Sequence, residues 1–208
     1  MKIIIIDDHK LVRSGLKQII TEEPGFEVIG EGENFHDAMD LVNNTDAEIM
    51  LLDISLPDKN GIEILADVKR LKPELPILIL SMHPEEQFAT RTLRSGASGY
   101  LTKESAPEEL ITALKKVHQG GKYISRSVAE ILAFDIAGRM DDHPHKTLSN
   151  REFQVFCKLA SGKQATEVAN ELYLSVKTIS TYRSRILEKM EMRNNAELMF
   201  YAVQNQLI

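Results

Sequence analysis

Five polar residues follow short apolar runs in the first half of the chain, and their types are suited to binding metal ions and phosphate. They are two adjacent aspartates, a third aspartate, a serine and a lysine: Asp7, Asp8, Asp53, Ser81 and Lys103. Carboxylates that cluster repel one another unless a cation compensates them. Mg²⁺ or Mn²⁺ would suit such oxygen ligands. A carboxylate can also attack phosphorus and become an aspartyl-phosphate, whose oxygens the lysine and the metal would neutralise.

The pattern of the first 120 residues predicts the elements that would position these groups. Five short runs are apolar on both alternating faces, as in strands buried on both sides of a parallel sheet; they cover residues 3–6, 26–30, 49–53, 77–81 and 98–101. Segments with helical periodicity follow them, at 9–22, 35–43, 61–71, 86–95 and 107–119. Alternating strands and helices predict an α/β domain with helices on both faces of a five-stranded parallel sheet.

A flavodoxin-like strand order, 2-1-3-4-5, would bring the three aspartates together. In that order strands one and three are neighbours at the switch point, where ligands bind at the carboxyl ends of strands. Asp53 is then the best candidate nucleophile, because Asp7 and Asp8 flank it and would anchor a cation. An aspartate at the end of a strand is also common as a helix cap or turn residue. The joint placement at several strand ends favours a functional site over this alternative.

The first 120 residues resemble the receiver domain of bacterial two-component response regulators. The resemblance rests on IIIIDDH, LLDISLPDKNG, LILS and GASGYLTK, which occur in the family's order. It implies that Asp53 accepts a phosphoryl group from a histidine of a sensor kinase. It also implies that Mg²⁺ (or Mn²⁺) is held by Asp8, Asp53 and the backbone carbonyl of Ser55, with Asp7 acting mainly through water.

The same resemblance implies a switch built from three further residues. Ser81 would close onto the phosphoryl group, Tyr100 would change rotamer and Lys103 would pair with a phosphoryl oxygen. The protein would then be a phosphoacceptor with at most slow self-dephosphorylation, not an enzyme. Glu104 follows Lys103 where the family commonly has proline, so the isomer of this peptide bond is left open.

The remainder of the chain has only helical periods. A polar stretch with Gly and Pro at 138–146 predicts a linker, and a helix at 126–137 precedes it. Ser149 and Glu152 form a capping-box pattern that opens a helix. Further helices are predicted at 165–173, 176–190 and 195–204. We therefore expect a receiver-like domain at 1–121, a linker with a helix at 122–146, and an all-α four-helix domain with a helix-turn-helix at 147–208.

The helix predicted at 176–190 has one apolar side and one polar side. Short polar residues with basic flanks suit a helix that lies in the DNA major groove, where hydroxyls reach base edges and cations hold phosphates. The residues of this polar side and its flanks are Lys177, Ser180, Thr181, Arg183, Ser184 and Arg185. A solvated face of a small helical bundle would give a similar pattern, so the helix alone leaves both interpretations open.

The segment LSNREFQVFCKLASGKQATEVANELYLSVKTISTYRSRILEKM resembles the LuxR-type DNA-binding domain of the NarL/FixJ response regulators. By position, Ser180, Thr181 and Ser184 correspond to base-reading residues. Lys177, Arg183 and Arg185 correspond to phosphate contacts. Members of this family bind paired half-sites as dimers, often through the last helix. Here the apolar residues of that helix could serve either a dimer contact or the domain core.

Composition agrees with this interpretation. Residues 144–208 carry nine Lys and Arg against six Glu, whereas residues 1–143 carry 16 basic against 25 acidic residues. A basic half beside an acidic half suggests a nucleic-acid partner for the basic half. The single cysteine, Cys157, fits a reducing compartment, and no apolar run approaches the length of a membrane span. We expect a cytoplasmic protein that does not contact membranes.

The sequence thus predicts a phosphorylation-dependent, DNA-binding transcriptional regulator of a two-component system. Its partners would be a sensor histidine kinase, promoter DNA and, on phosphorylation, a second copy of the chain. Two alternatives are a phosphorylation-regulated adaptor that binds protein through its helical domain, and an Mg²⁺-dependent aspartyl phosphatase. Phosphatases of the haloacid-dehalogenase type have a second aspartate two residues after the nucleophile, whereas Asp7 and Asp8 are adjacent.

Overall fold

The computed structural model describes residues 1–82, 85–136, 143–205 and 207–208. Their contacts divide the chain into two compact units, Met1–Leu132 and Ala133–Ile208. Within the described residues, every helix is too short or too polar to cross a bilayer. Most of the predicted linker, residues 138–142, lies outside the described residues, as does Ala137 at the end of the helix predicted before it.

The first unit is built on a five-stranded parallel sheet. Its strands are β1 (Lys2–Ile6), β2 (Glu27–Gly32), β3 (Ile49–Asp53), β4 (Ile77–Ser81) and β5 (Gly99–Thr102). The order β2-β1-β3-β4-β5 confirms the flavodoxin-like prediction. β2 extends two residues beyond the predicted run because Gly32 pairs with Ile6, although Glu31 beside it carries no apolar signal.

Helices follow the strands and cover both faces of the sheet, as right-handed crossovers require. They are α1 (Lys10–Glu22), α2 (Phe35–Asn44), α3 (Gly61–Leu71), α4 (Glu85–Arg94) and α5 (Ala106–His118). Asn34 and Asn60 cap α2 and α3, each accepting a backbone N–H bond from the first turn. The predicted bounds of these helices are correct to within one residue.

The segment after α5 adds to the free edge of β5. Tyr123 forms an isolated parallel bridge with Gly99. Its N–H donates to the carbonyl of Ser98, and its carbonyl accepts a bond from the N–H of Tyr100. A β-carbon at Gly99 would lie 2.7 Å from the Tyr123 carbonyl oxygen, so glycine is required for this close approach. Pairing here covers an edge that would otherwise expose unpaired backbone groups.

The second unit is helical. The division between the two units falls within α6 (Arg126–Ile136). The helices that follow α6 are a 3₁₀ turn (Pro144–Thr147), α7 (Asn150–Ala160), α8 (Ala165–Glu171), α9 (Val176–Lys189) and α10 (Asn195–Gln204). The predicted capping box forms: the Ser149 hydroxyl accepts from the Glu152 N–H, and the Glu152 carboxylate accepts from the Ser149 N–H. Phe153, Phe156 and Tyr201 pack together inside this bundle.

α8 ends two residues before its predicted end. Tyr173 adopts a left-handed backbone conformation with φ 53°, which a helix cannot contain. The next N–H, that of Leu174, donates to the carbonyl of Ala169 and closes the helix end. The turn leads directly into α9, whose N-cap is Ser175. Together α8, this turn and α9 form the predicted helix-turn-helix.

Candidate functional site

The sheet brings the predicted aspartates together at its carboxyl edge. Ile6 of β1 pairs with Leu52 of β3, so the residues that follow, Asp7 and Asp53, lie side by side. Both carboxylates are buried, and the Asp8 side chain is 12% exposed. Asp7, Asp8, His9 and Asp53 each offer one potential ligand atom, and these four atoms all lie within 4.8 Å of one another.

Lys103 reaches into the same cluster from the loop after β5. Its Nζ lies 2.6 Å from Oδ2 of Asp7 and 2.9 Å from Oδ2 of Asp53, and its side chain is only 6% exposed. The Lys103 backbone N–H donates to the carbonyl of Ser81 at 2.8 Å, which holds this loop against β4. The peptide bond between Lys103 and Glu104 is trans.

Burial and charge act together on these groups. Burial raises the pKa of Asp53 above its usual value; Lys103 opposes this shift, and the neighbouring Asp7 charge adds to it. Burial lowers the pKa of Lys103, but the charges of Asp53 and Asp7 outweigh that effect, so its net pKa is raised. The Lys103 ammonium group contacts two of the three carboxylates, those of Asp7 and Asp53. The excess negative charge and the oxygen donors of the cluster suit a hard divalent cation.

The other predicted pocket residues lie on the same edge or close to it. Ser81 is fully buried at the end of β4, one residue beyond Leu80, which pairs with Asp53. Tyr100 is fully buried on β5. The Ser55 backbone N–H donates to Oδ1 of Asp53 at 3.1 Å, which fixes the carboxylate; its carbonyl as a metal ligand stays a prediction.

Two residues near the cluster were not assigned a role from the sequence. His9 places Nδ1 2.7 Å from Oδ1 of Asp8. Arg13 is buried on α1, and its guanidinium donates to the backbone carbonyl of Asp7. The buried residues of α1 are Arg13, Leu16 and Ile20, so a charged side chain occupies the helix's apolar stripe. That placement was a readable signal in the sequence.

In the second unit, α9 presents most of the predicted DNA-contacting residues to solvent. The exposed ones are Lys177, Ser180, Thr181, Ser184 and Arg185. The hydroxyls of Thr181 and Ser184 donate to backbone carbonyls one helical turn earlier, of Lys177 and Ser180. A surface depression of about 280 Å³ runs along the start of the helix and is lined by Ser175, Lys177, Thr178, Thr181, Tyr182 and Arg185.

Arg183 differs from its neighbours on α9. It is partly buried, and its Nε donates to Oδ1 of Asn195 at 2.7 Å, which ties α9 to the start of α10. On α10 itself, Leu198 and Ala202 are buried, whereas three apolar side chains are exposed: Met199 (42%), Phe200 (65%) and Val203 (60%). Those three residues are therefore not core residues of this unit.

Comparison with known proteins identifies the family. The model of the response regulator receiver domain matches residues 3–115, and the model of bacterial regulatory proteins of the luxR family matches residues 146–202. The chain belongs to the response regulators that combine a receiver domain with a LuxR-type DNA-binding domain. Members of this class are regulatory phosphoacceptor proteins rather than conventional enzymes.

Individual relatives are similar over nearly their full length. Response regulator GacA of Pseudomonas aeruginosa is 31% identical over 100% of this chain and 98% of its own. Response regulator UvrY of Escherichia coli K12 is 30% identical over 100% of this chain and 95% of its own. A structure of RcsB from Salmonella enterica serovar Typhimurium, bound to promoter rprA in the presence of phosphomimetic BeF₃⁻, has a TM-score of 0.66. It is 29% identical and covers 97% of each chain.

Proposed function

We propose that Asp53 is the residue through which phosphorylation controls this regulator. The observation that carries the proposal is the Asp53 carboxylate at the end of β3, held by the Ser55 N–H and by Lys103, with Asp7 beside it. Burial raises the pKa of Asp53, and a more basic carboxylate is a better nucleophile. Sequence similarity to response regulators supports a histidine kinase as the phosphoryl donor.

In the transfer, one oxygen of Asp53 attacks the phosphorus of a phosphohistidine. The bond between phosphorus and nitrogen breaks, the imidazole leaves with its electron pair, and the new bond between oxygen and phosphorus makes an aspartyl-phosphate. Lys103, already in contact with Oδ2 of Asp53, is in reach of a phosphoryl oxygen and offsets its charge.

The acidic cluster would hold Mg²⁺ or Mn²⁺. Asp8, Asp53 and the backbone carbonyl of Ser55 would be ligands, and Asp7 would act mainly through water. The excess of carboxylate over ammonium in a buried pocket fits this role. When bound, the cation supplies Lewis-acid neutralisation of the phosphoryl oxygens.

Phosphorylation would be transmitted by the strand edge next to Asp53. A phosphoryl group adds charge and strong acceptor oxygens to the pocket. Ser81 would close onto these oxygens, and Tyr100 would change rotamer, which alters the surface formed by β4, β5 and their loops. Both side chains are fully buried, so their movement requires repacking, which favours two discrete states over a gradual change.

The output would be dimeric binding to promoter DNA. Ser180, Thr181 and Ser184 would read bases, while Lys177, Arg183 and Arg185 would contact phosphates. The exposed apolar residues of α10 would form the dimer contact. A solved structure supports dimeric DNA binding, since it shows two RcsB dimers bound to two parallel DNAs. The boundaries 1–121, 122–146 and 147–208 would separate receiver, linker and DNA-binding domain.

Acetyl phosphate with Mg²⁺ tests the phosphoacceptor directly, because it phosphorylates without a kinase. We expect a slower band on a phosphate-affinity gel for the wild type and none for Asp53→Asn. Asp40→Asn, which removes an exposed carboxylate on α2, is the matched control and should behave like the wild type. Full phosphorylation of Asp53→Asn would refute the assignment.

Two further measurements address the alternatives. Genome-wide footprinting with and without acetyl phosphate should reveal promoter sites that are occupied more strongly after phosphorylation; an adaptor would show none. A turnover assay on generic phosphate esters should yield no sustained product release, whereas an aspartyl phosphatase would turn over many equivalents.

A further inference from the structure

Arg13 is a buried cation next to the acidic cluster that the phosphoryl transfer does not use. Its side chain is 7% exposed, although it belongs to a helix at the protein surface. Nη1 donates to the backbone carbonyl of Asp7, and Nη2 donates to Oε1 of Glu33 at 2.5 Å. Nε lies 3.8 Å from a carboxylate oxygen of Glu31. A buried guanidinium costs free energy unless hydrogen bonds and opposite charges offset that cost. Here Nη1 and Nη2 have hydrogen-bond partners, and Nε faces the Glu31 carboxylate beyond hydrogen-bond distance.

The Asp7 carbonyl lies just after the end of β1, where the chain turns away from the sheet. The Asp7 N–H still donates to Gly32 of β2 at 3.0 Å, but the chain then turns into α1. A buried carbonyl at this turn needs a donor, and Arg13 supplies it. Because a peptide unit is planar, fixing the Asp7 oxygen also fixes the plane that carries the N–H and Cα of Asp8. Arg13 thus orients both aspartates of the pair.

Glu33 connects the same guanidinium to the loop after β2. The Glu33 N–H donates to the carboxylate of Asp37 at 2.9 Å, which anchors this loop to α2. One residue beyond the loop, the Phe35 N–H donates to the carboxylate of Asp58 at 2.9 Å, in the loop after β3. The β2 loop therefore links the loop that carries Asp7 and Asp8 to the loop that follows Asp53.

We infer that Arg13 and Glu33 are positioning residues for the divalent cation of the acidic cluster. They touch neither the cation nor the reacting carboxylate; they hold the backbone on which Asp7 and Asp8 are mounted. The inference rests on the proposed function, since it concerns the cation of that same site. Removal of groups that orient metal ligands commonly weakens metal affinity by about 10–100-fold.

The contribution of Arg13 is geometric rather than a matter of net charge. Its guanidinium is faced by the carboxylates of Glu33 and Glu31, which offset the positive charge it would add to the pocket. A lysine at this position would keep the charge, but it lacks the rigid fork that satisfies the Asp7 carbonyl and Glu33 together. Arg13→Lys therefore separates the two explanations.

The test is the affinity of the full-length, unphosphorylated chain for Mg²⁺ alone, measured by titration calorimetry well below the melting transition. We expect Arg13→Gln to weaken Mg²⁺ binding about tenfold and Arg13→Lys to weaken it by a similar factor, because lysine keeps the charge but not the fork. Glu33→Gln should weaken it by a smaller factor, and the double variant should bind about as Arg13→Gln does, because both changes break one connection.

Two controls separate positioning from general effects. Lys115→Gln removes an exposed cation whose partner is the half-buried Glu23, and it should leave Mg²⁺ affinity within about twofold of the wild type. Val42→Ala lowers stability by removing buried methyl groups from α2, away from the pocket, and should also leave the affinity unchanged.

Equal Mg²⁺ affinity of wild type and Arg13→Gln would overturn the inference, as would equal weakening by Val42→Ala. If Arg13→Gln fails to fold, Glu33→Gln decides by the same criterion, because the Glu33 side chain is 59% exposed and its loss is tolerable. A wild type that is not phosphorylated at Asp53 would instead refute the proposed function, so the two failures are distinguishable.

Discussion

Lys103 Nζ lies 2.9 Å from Oδ2 of Asp53, in a pocket where both side chains are almost completely buried. The pair does not remove the electrostatic cost of the site. Burial, reinforced by the Asp7 charge, keeps the pKa of Asp53 above its usual value despite Lys103. A buried carboxylate maintained in this way is a stability cost that function requires.

Asp53→Asn should therefore stabilise the metal-free protein at neutral pH. An acid whose pKa is higher in the folded than in the unfolded state binds protons more readily when folded, so its ionised form lowers stability. We expect the melting temperature of the first unit to rise by about 2–4 °C at pH 7 with EDTA, as about 1 kcal/mol would produce. The gain should shrink as the pH falls through the raised pKa of Asp53.

Differential scanning calorimetry from pH 4.5 to 7.5 measures this difference. Added Mg²⁺ should raise the melting temperature of the wild type more than that of Asp53→Asn, because the variant lacks one ligand. An Asp53→Asn protein less stable than the wild type at pH 7 without metal would contradict the account of a costly carboxylate.

Gly61→Ala should displace Asp53 and destabilise the first unit. A β-carbon at Gly61 would lie 2.2 Å from the Asp53 carbonyl oxygen and 2.7 Å from the Ile54 Cα. Both are backbone atoms, so relieving the clash requires the chain around Asp53 to move. We expect a loss of about 1–3 kcal/mol in the free energy of unfolding and slower phosphorylation by acetyl phosphate.

Gly15→Ala is the matched control for that substitution. Gly15 lies inside α1, and nothing within 4 Å would meet its β-carbon. Alanine there should stabilise the protein by about 0.5–1 kcal/mol through helix propensity and leave phosphorylation unchanged. Urea unfolding of both variants, together with their phosphorylation rates, checks the pair; a stable Gly61→Ala protein with a normal rate would be evidence against the steric argument.

The strands, the helices and the edge that carries the aspartates could be predicted from the sequence because they depend on simple periodicity, whereas the strand order was taken from the flavodoxin-like fold type. Strands that are apolar on both faces belong in a parallel sheet, and their carboxyl ends share one edge. The flavodoxin-like order then makes β1 and β3 neighbours, which places Asp7 beside Asp53. The Arg13 contacts could not be derived in the same way. They depend on how far one side chain reaches towards a carbonyl six residues earlier and towards Glu33, twenty residues later.

The partners of the side chains on α9 likewise could not be predicted from a helical pattern. Arg183 lies between the polar and apolar sides of the helix, so either a DNA phosphate or a neighbouring helix was a possible partner. The structure provides Asn195 on α10 as a partner for its Nε. Tyr173 is a similar case. The apolar pattern predicted helix up to this residue, but its left-handed backbone conformation ends α8 earlier.

Tyr173→Gly should stabilise the second unit. A non-glycine residue at φ 53° costs about 1–2 kcal/mol, which glycine largely avoids. The Tyr173 side chain is 64% exposed, so its removal sacrifices little packing. We expect a net gain of about 0.5–1 kcal/mol in the free energy of unfolding, measured by denaturant titration, after the entropic cost of glycine is included.

Glu191→Gly tests the same principle at a second left-handed position, φ 55°, and should also increase the free energy of unfolding. Tyr182→Gly, inside α9, is the opposite case and should destabilise the unit, since glycine is unfavourable in a helix interior. Loss of stability in Tyr173→Gly would indicate that the aromatic ring makes contacts that outweigh the backbone strain.

Lys177→Gln and Arg183→Gln should separate phosphate contact from helix positioning on α9. Lys177 is exposed, so its loss should weaken binding to all DNA sequences alike, lower the salt dependence by about one counterion and leave stability unchanged. Arg183 also holds Asn195, so its loss should in addition destabilise the second unit by about 1–2 kcal/mol. Lys158→Gln, which removes a cation paired with Glu171 on α8, controls for net charge.

Fluorescence anisotropy at several salt concentrations measures DNA binding by these variants, and thermal unfolding measures their stability. Identical effects of the Lys177 and Arg183 variants on stability would count against the role of Arg183 between α9 and α10.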